Sequence, residues 1–178
     1  MGRDLYVAYE ESTPWPVWAA ALVWAGFLVP AVLLGREALD RLGGGDPGGA
    51  LLHGAGAAAL LLGPVVTRLL LGRLQVRVTR TSLLLVFGYL PFVQRLVPFE
   101  DIRRMEAVRY SPLRDFGGWG IRWGGPGRKA WTMRGDRALR LTLRDGSELY
   151  VGSDDPERLL ERVRSAGGSR WPAAGGDP

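Results

Sequence analysis

A chain of 178 residues has room for one domain, or for a small domain with a membrane anchor. It holds no cysteine and only one histidine, His53, which excludes disulfide frameworks and thiolate or histidine-rich metal sites. The net charge of +5 is carried almost wholly by arginine, with Lys129 the only lysine; that balance suits anionic lipid, nucleic acid or an acidic protein, or reflects a GC-rich genome.

Apolar residues crowd into the first seventy positions. Residues 1–14 read as a tail, with Arg3 set against Asp4, Glu10 and Glu11. Residues 15–34 then run without a charge, and at 1.5 Å per residue they cover a hydrocarbon core of roughly 30 Å. Trp15 and Trp18 open this span, where amphipathic rings favour headgroups. Residues 35–49 read as a loop whose charges (Arg36, Glu37, Asp40, Arg41, Asp46) nearly cancel among glycines. A second span follows over 50–71, its Gly54, Ala55, Ala58 and Ala59 suited to close contact with the first. His53, near one end of that span, reads as an interfacial histidine and not as a haem ligand or proton relay.

Arg68, Arg73, Arg77 and Arg80 come next with no acidic residue among them. The excess of arginine predicts that this side, and with two crossings the N-terminus as well, is cytoplasmic. A cleaved signal peptide fits poorly: the apolar run is too long, starts too far in and lacks a basic leader.

From Leu74 the apolar period becomes two, and the domain is expected over 72–167. Strands are predicted at 74–79, 82–87, 92–97, 103–110, 119–123, 129–133, 139–144 and 148–151. Asp145-Gly146 marks one hairpin, Gly124-Gly125-Pro126-Gly127 a turn, and 111–118 a loop. Ser153-Asp154 is expected to cap a final helix with Pro156 in its first turn, an apolar stripe of Leu159, Leu160, Val163 and Ala166, and Gly167-Gly168 at its end. The Gly/Pro/Ala-rich remainder, 168–178, is expected to be disordered.

This order of elements, together with the segment Arg114-Asp115-Phe116-Gly117-Gly118-Trp119-Gly120-Ile121-Arg122, Leu141-Thr142-Leu143-Arg144-Asp145-Gly146 and Val151-Gly152-Ser153, resembles bacterial membrane-anchored pleckstrin-homology-like (PH-like) proteins. The resemblance spans about residues 50–166. It implies a two-helix transmembrane hairpin followed by a mainly-β, PH-like barrel capped by a C-terminal helix; many members of that family have no assigned activity.

The candidate chemistry is sparse. Asp115-Phe116-Gly117 matches the metal-binding triplet of protein kinases, but the other kinase motifs are missing. Gly117-Gly118-Trp119-Gly120 precedes a strand and not a helix, so it offers no helix N-terminus to a phosphate; a structural turn with Trp119 packed into the barrel is the favoured reading. Glu100 and Asp101 adjoin on a turn and do not form a catalytic pair. Arg68, Arg73, Arg77 and Arg80 are expected beside headgroups, where each basic residue adds on the order of 1 kcal/mol on an anionic leaflet. The expected function is therefore a non-catalytic, membrane-anchored module, integral to the lipid, that mediates protein interaction or self-association at the cytoplasmic face. The alternative is an anionic-lipid sensor using those arginines. No cofactor, metal, nucleic acid or small-molecule substrate is expected.

Overall fold

The computed structural model describes residues 7–168, and the chain divides into two units. One is helical, Trp15–Gly72; the other is a β-domain built from the segments on either side of it.

The helical unit is an antiparallel pair, α1 (Val17–Gly43) and α2 (Pro47–Leu71). At 1.5 Å per residue each is close to 40 Å long, and both are long and apolar enough to cross a membrane. The loop expected over 35–49 is largely helix. Gly35 does not break α1, because its last turns are held by an ion pair between Glu37 and Arg41 at 2.8 Å, four residues apart. Only residues 44–46 turn: Gly45 takes a positive φ of 82°, and the Asp46 side chain caps α2 by accepting the Gly49 N–H at 2.9 Å. His53 is spent locally, its Nδ1 lying 2.8 Å from the Gly49 carbonyl oxygen.

The small-residue face differs from the expected one. Gly54 has open space around it and Ala55, Ala58 and Ala59 are exposed. Gly56 and Gly63 meet α1 instead, against Leu34 and Phe27. A Cβ on Gly63 would lie 2.1 Å from the Phe27 ring, so this glycine is the space the ring occupies. Both stripes have helical spacing; the one that packs is the one facing Leu34 and Phe27.

The β-domain begins before the helices. Residues expected to be a tail form β1 (Tyr9–Pro14), which pairs antiparallel with β2 (Arg73–Val78) from Tyr9↔Val78 to Pro14↔Arg73. The chain leaves the sheet at Pro14, makes two helices and returns to the neighbouring position. Alternation within 9–14 is masked by Glu10, Glu11 and two prolines nearby, which is why the strand was not legible. β3 (Ser82–Phe87) and β4 (Val93–Pro98) complete a four-stranded antiparallel sheet in the order β1-β2-β3-β4.

A 3-10 turn, Phe99–Asp101, leads to the second sheet: β5 (Ile102–Arg109), β6 (Gly120–Trp123), β7 (Arg128–Thr132), β8 (Arg137–Leu143) and β9 (Glu148–Gly152). Its order is β5-β8-β9-β7-β6, antiparallel except for the β7–β9 pair. The expected loop 111–118 contains a short helix, α3 (Pro112–Phe116), between β5 and β6. The last helix, α4 (Pro156–Gly167), packs on β5 and β8. Its cap is Asp155, not the expected Ser153-Asp154: the Asp155 carboxylate accepts the Arg158 N–H at 3.0 Å, and the Ser153 hydroxyl has another task.

Leu74, Val76, Val78, Leu83 and Leu85 from the first sheet are fully buried, as are Leu139, Leu141, Leu149 and Val151 from the second and Leu159 and Val163 from α4. Phe87 meets Trp131 edge-on at 5.6 Å, joining the sheets. The expected tail at 168–178 lies, apart from Gly168, outside the described residues, as do residues 1–6.

Candidate functional site

Arg73, Arg77 and Arg80 do not gather but are strung along β2 and the turn beyond it. Arg73 opens β2, its guanidinium 4.1 Å from the centre of the Tyr89 ring and its Nε 3.4 Å from the Gly88 carbonyl. Arg77, four residues further along the strand, pairs with Glu10 of β1 at 3.2 Å. Arg80 sits in the turn beyond the other end of β2. A strand rises about 3.3 Å per residue, so Arg73 and Arg80 are separated by roughly 20 Å of chain. Arg68 lies in the last turns of α2.

The segment 114–122 is a closed corner. Asp115 turns back to accept the Ser111 N–H at 2.8 Å, which holds its carboxyl below the usual range, and it pairs loosely with the exposed Arg114 at 3.4 Å. Gly117 ends α3 in the left-handed region at φ 70°, where a side chain would be strained. Gly118 and Gly120 also have positive φ. It is Phe116, not Trp119, that is driven into the core, against Tyr110 at 5.8 Å and Tyr150 at 5.0 Å. Trp119 is half-buried and donates its indole N–H to the Gly135 carbonyl at 2.8 Å, while Arg122 donates back to the Trp119 carbonyl at 3.0 Å. Gly124 completes the corner, since a Cβ there would strike Phe116 and the Asp115 carbonyl at about 2.6 Å. Asp115, Trp119 and Arg122 are thus each engaged by backbone groups of this corner or of the neighbouring Gly135.

Two features were missed in the sequence. One is a ladder of alternating charge across the second sheet. Glu106 of β5 is flanked by Arg104 and Arg140, Arg140 reaches Glu148 of β9 at 3.8 Å, and Glu148 pairs with Arg128 of β7 at 3.3 Å. Arg128 also donates to the Tyr150 hydroxyl at 3.2 Å. Hydrogen bonding from Arg140 holds the Glu106 carboxyl down. With the Arg140 guanidinium between Glu106 and Glu148, the ladder braces β5, β8, β9 and β7 to one another. The strand register that assembles the ladder is invisible in a linear sequence.

The other is the β3–β4 tip, residues 88–92. Gly88 is buried, and Tyr89, Leu90, Pro91 and Phe92 are all exposed. Four successive outward-facing residues of low polarity were a signal available in the sequence, where they read simply as a turn.

An open groove on α4 is lined by Asp155, Glu157, Arg158, Glu161, Arg162 and Ser165, a charged helix surface whose Arg158 and Arg162 lie near the Tyr9 ring. Among the described residues no group of three or more His, Cys, Asp or Glu side chains is placed to hold a metal ion. No family model, curated protein or solved structure matches the chain. The described residues form two long apolar helices, placed in sequence between β1 and β2 of a two-sheet β-domain with a C-terminal helix.

Proposed function

We propose that the chain is a non-catalytic, membrane-anchored interaction module: α1 and α2 cross the cytoplasmic membrane as a hairpin, and a PH-like domain on the cytoplasmic face docks a protein partner or assembles with itself. The observation that carries this reading is the β1–β2 pairing. Strands hydrogen-bonded in one sheet occupy one compartment, so the helices between them must cross an even number of times. Cleavage after α1 would remove β1, which argues against a signal peptide.

Three further features support the anchor. Val17, Trp18, Leu22, Leu28, Val29 and Leu62 turn outward from the helices, which suits lipid and not water. The uncharged part of α1, residues 17–35, is about 28 Å long, matching the hydrocarbon core. The arginine excess after α2 favours the cytoplasm for the β-domain. Interaction is supported by β4 and β6, each paired along one side only, with Leu96 and Trp123 exposed on them. The lipid-sensor alternative gains little, because Arg73, Arg77 and Arg80 are strung along β2 and Arg77 is engaged by Glu10.

The absence of cysteine makes the test direct. In spheroplasts, Gly44→Cys in the helix turn should react with a membrane-impermeant maleimide, and Asp145→Cys in the β8–β9 turn only after permeabilisation. The reverse pattern would overturn the orientation, and labelling of both in intact spheroplasts would overturn the hairpin. Photo-crosslinkers at Leu96 or Trp123 that return only monomer from native membranes would remove the interaction role.

A further inference from the structure

Three turns of this β-domain are polar. The β2–β3 turn is Thr79-Arg80-Thr81-Ser82, the β8–β9 turn Asp145-Gly146-Ser147, and the β7–β8 connection contains Arg134, Gly135 and Asp136. The β3–β4 tip is Tyr89-Leu90-Pro91-Phe92, and it is not folded inward: Tyr89 is 40%, Leu90 41% and Phe92 76% exposed. Such a run of exposed apolar residues at a hairpin tip is costly in water unless something covers it.

Its position identifies the cover. Phe87, the last residue of β3, is paired with Leu74, and the Gly88 N–H donates to the Arg73 carbonyl at 2.7 Å. Arg73 comes two residues after Leu71, the end of α2, so the chain holds it within roughly 7 Å of that helix end. The same end of the sheet releases the chain to α1, since Pro14 is the partner of Arg73. The apolar tip thus emerges at the sheet end that carries both helix junctions, while the polar β2–β3 turn of the same sheet lies at the opposite end. Tyr89 is stacked under Arg73, a pairing of aromatic ring and cation suited to the headgroup layer.

We propose that residues 89–92 are a third membrane contact, seated in the boundary between headgroups and acyl chains of the bilayer that α1 and α2 cross. Leu90 and Phe92 enter the acyl boundary and Arg73 stays among the phosphates. The inference rests on the reading of α1 and α2 as membrane spans, and its test separates the two.

Single cysteines at Leu90 or Phe92 of the full chain, with Leu28→Cys in mid-α1 and Asp145→Cys as references, would carry an environment-sensitive fluorophore. The protein is reconstituted in vesicles of phosphatidylcholine and phosphatidylglycerol bearing nitroxides near the headgroup or deep in the acyl chain. Labels at positions 90 and 92 should show blue-shifted emission and lose intensity to the shallow nitroxide, position 28 to the deep one, and position 145 to neither. Quenching at 28 with none at 90 and 92 would overturn the third contact and leave the anchor standing. A blue shift at 90 and 92 without quenching would assign the tip to a protein partner or a second copy and equally overturn it. No quenching at 28 would remove the spans, and this inference with them. Both labelled positions are exposed, so substitution there leaves the core intact.

Discussion

The Glu11 carboxylate, on the strand that precedes the helices, accepts the Ser153 hydroxyl at 2.8 Å, 142 residues further along the chain. It also accepts the Asp154 N–H at 2.9 Å, and the Ser153 oxygen in turn accepts the Asp155 N–H at 3.1 Å. One side chain therefore ties β1 to the turn that starts α4. Glu11→Ala should destabilise the β-domain by about 1–3 kcal/mol, because the buried Ser153 hydroxyl loses its acceptor. Glu11→Gln, which keeps an acceptor oxygen, should cost less. Hydrogen exchange at the amides of β1 and residues 153–155 would measure both, and equal protection in Glu11→Ala and the native chain would refute the tie.

The same carboxyl gives a pH signature. Burial pushes Glu11 up, outweighing the hydrogen bonds from Asp154 and Ser153 that pull it down. A carboxyl raised in the fold holds its proton better there than in the unfolded chain, so its contribution to stability falls as pH rises from the unfolded value through the folded one. Glu106 has the opposite sign: held down by Arg140, it contributes stability above its unfolded value and loses it as pH falls through the folded value. Carbon-detected NMR titration of the two side chains should show midpoints displaced in opposite directions, with Glu11→Gln removing only the first effect.

Pro14 and Arg73 are antiparallel partners, and the Trp15 N–H donates to the Gly72 carbonyl at 3.2 Å. The helical unit can then be exchanged for a hairpin turn. A chain in which Asn-Gly replaces Trp15–Gly72 should fold as a water-soluble β-domain, because that dipeptide suits a two-residue connection between paired strands. A fragment beginning at Arg73 lacks β1 and the Glu11 tie and should be poorly folded. Dispersed amide spectra from the first and collapsed spectra from the second are expected; comparable spectra would mean that β1 contributes little. The bridged chain retains the apolar 89–92 tip, so its self-association should fall when Phe92 is replaced by Ser.

Gly63 and Phe27 set the packing of the helices. Glycine to alanine inside a helix ordinarily gains roughly 0.5–1 kcal/mol. At Gly63 the sign should reverse, since overpacking costs about 1–3 kcal/mol and the Phe27 ring already fills the space. Gly54→Ala, with nothing within 4 Å, should be neutral or stabilising. Thermal unfolding in detergent micelles would rank the two, and Phe27→Leu should restore part of the loss from Gly63→Ala.

Phe116 tests the corner 114–122. Phe116→Ala removes the ring that Tyr110 and Tyr150 enclose and should cost about 3–5 kcal/mol. Arg114→Ala, at an exposed side chain, should stay within about 0.5 kcal/mol. Denaturant unfolding of the bridged soluble chain would measure both, and a small effect at Phe116 would show that the corner is not part of the core.

Much of this architecture is legible from local pattern. Twenty uncharged apolar residues specify a long apolar helix by composition alone. The alternation of Leu74, Val76 and Val78, or of Leu139, Leu141 and Leu143, specifies strands because successive side chains point to opposite faces. Asp145-Gly146 specifies its turn through the backbone freedom of glycine, and Pro156 and the Leu159/Val163 stripe specify α4. What the linear pattern left open depends on partners far apart in sequence. β1 is a strand because β2 offers it an edge and Ser153 offers Glu11 a hydrogen-bonding site, and residues 9–14 carry little intrinsic signal of either. The charge ladder needs the register that sets Glu106 beside Arg140 and Glu148 beside Arg128. The segment 88–92 could be read as a turn from its glycine and proline, but its placement beside Arg73, at the end of the sheet that leads to both helices, was decided only by antiparallel pairing. Local sequence determines most of the elements; long-range pairing decides that β1 is one of them and which ends of the strands share a side.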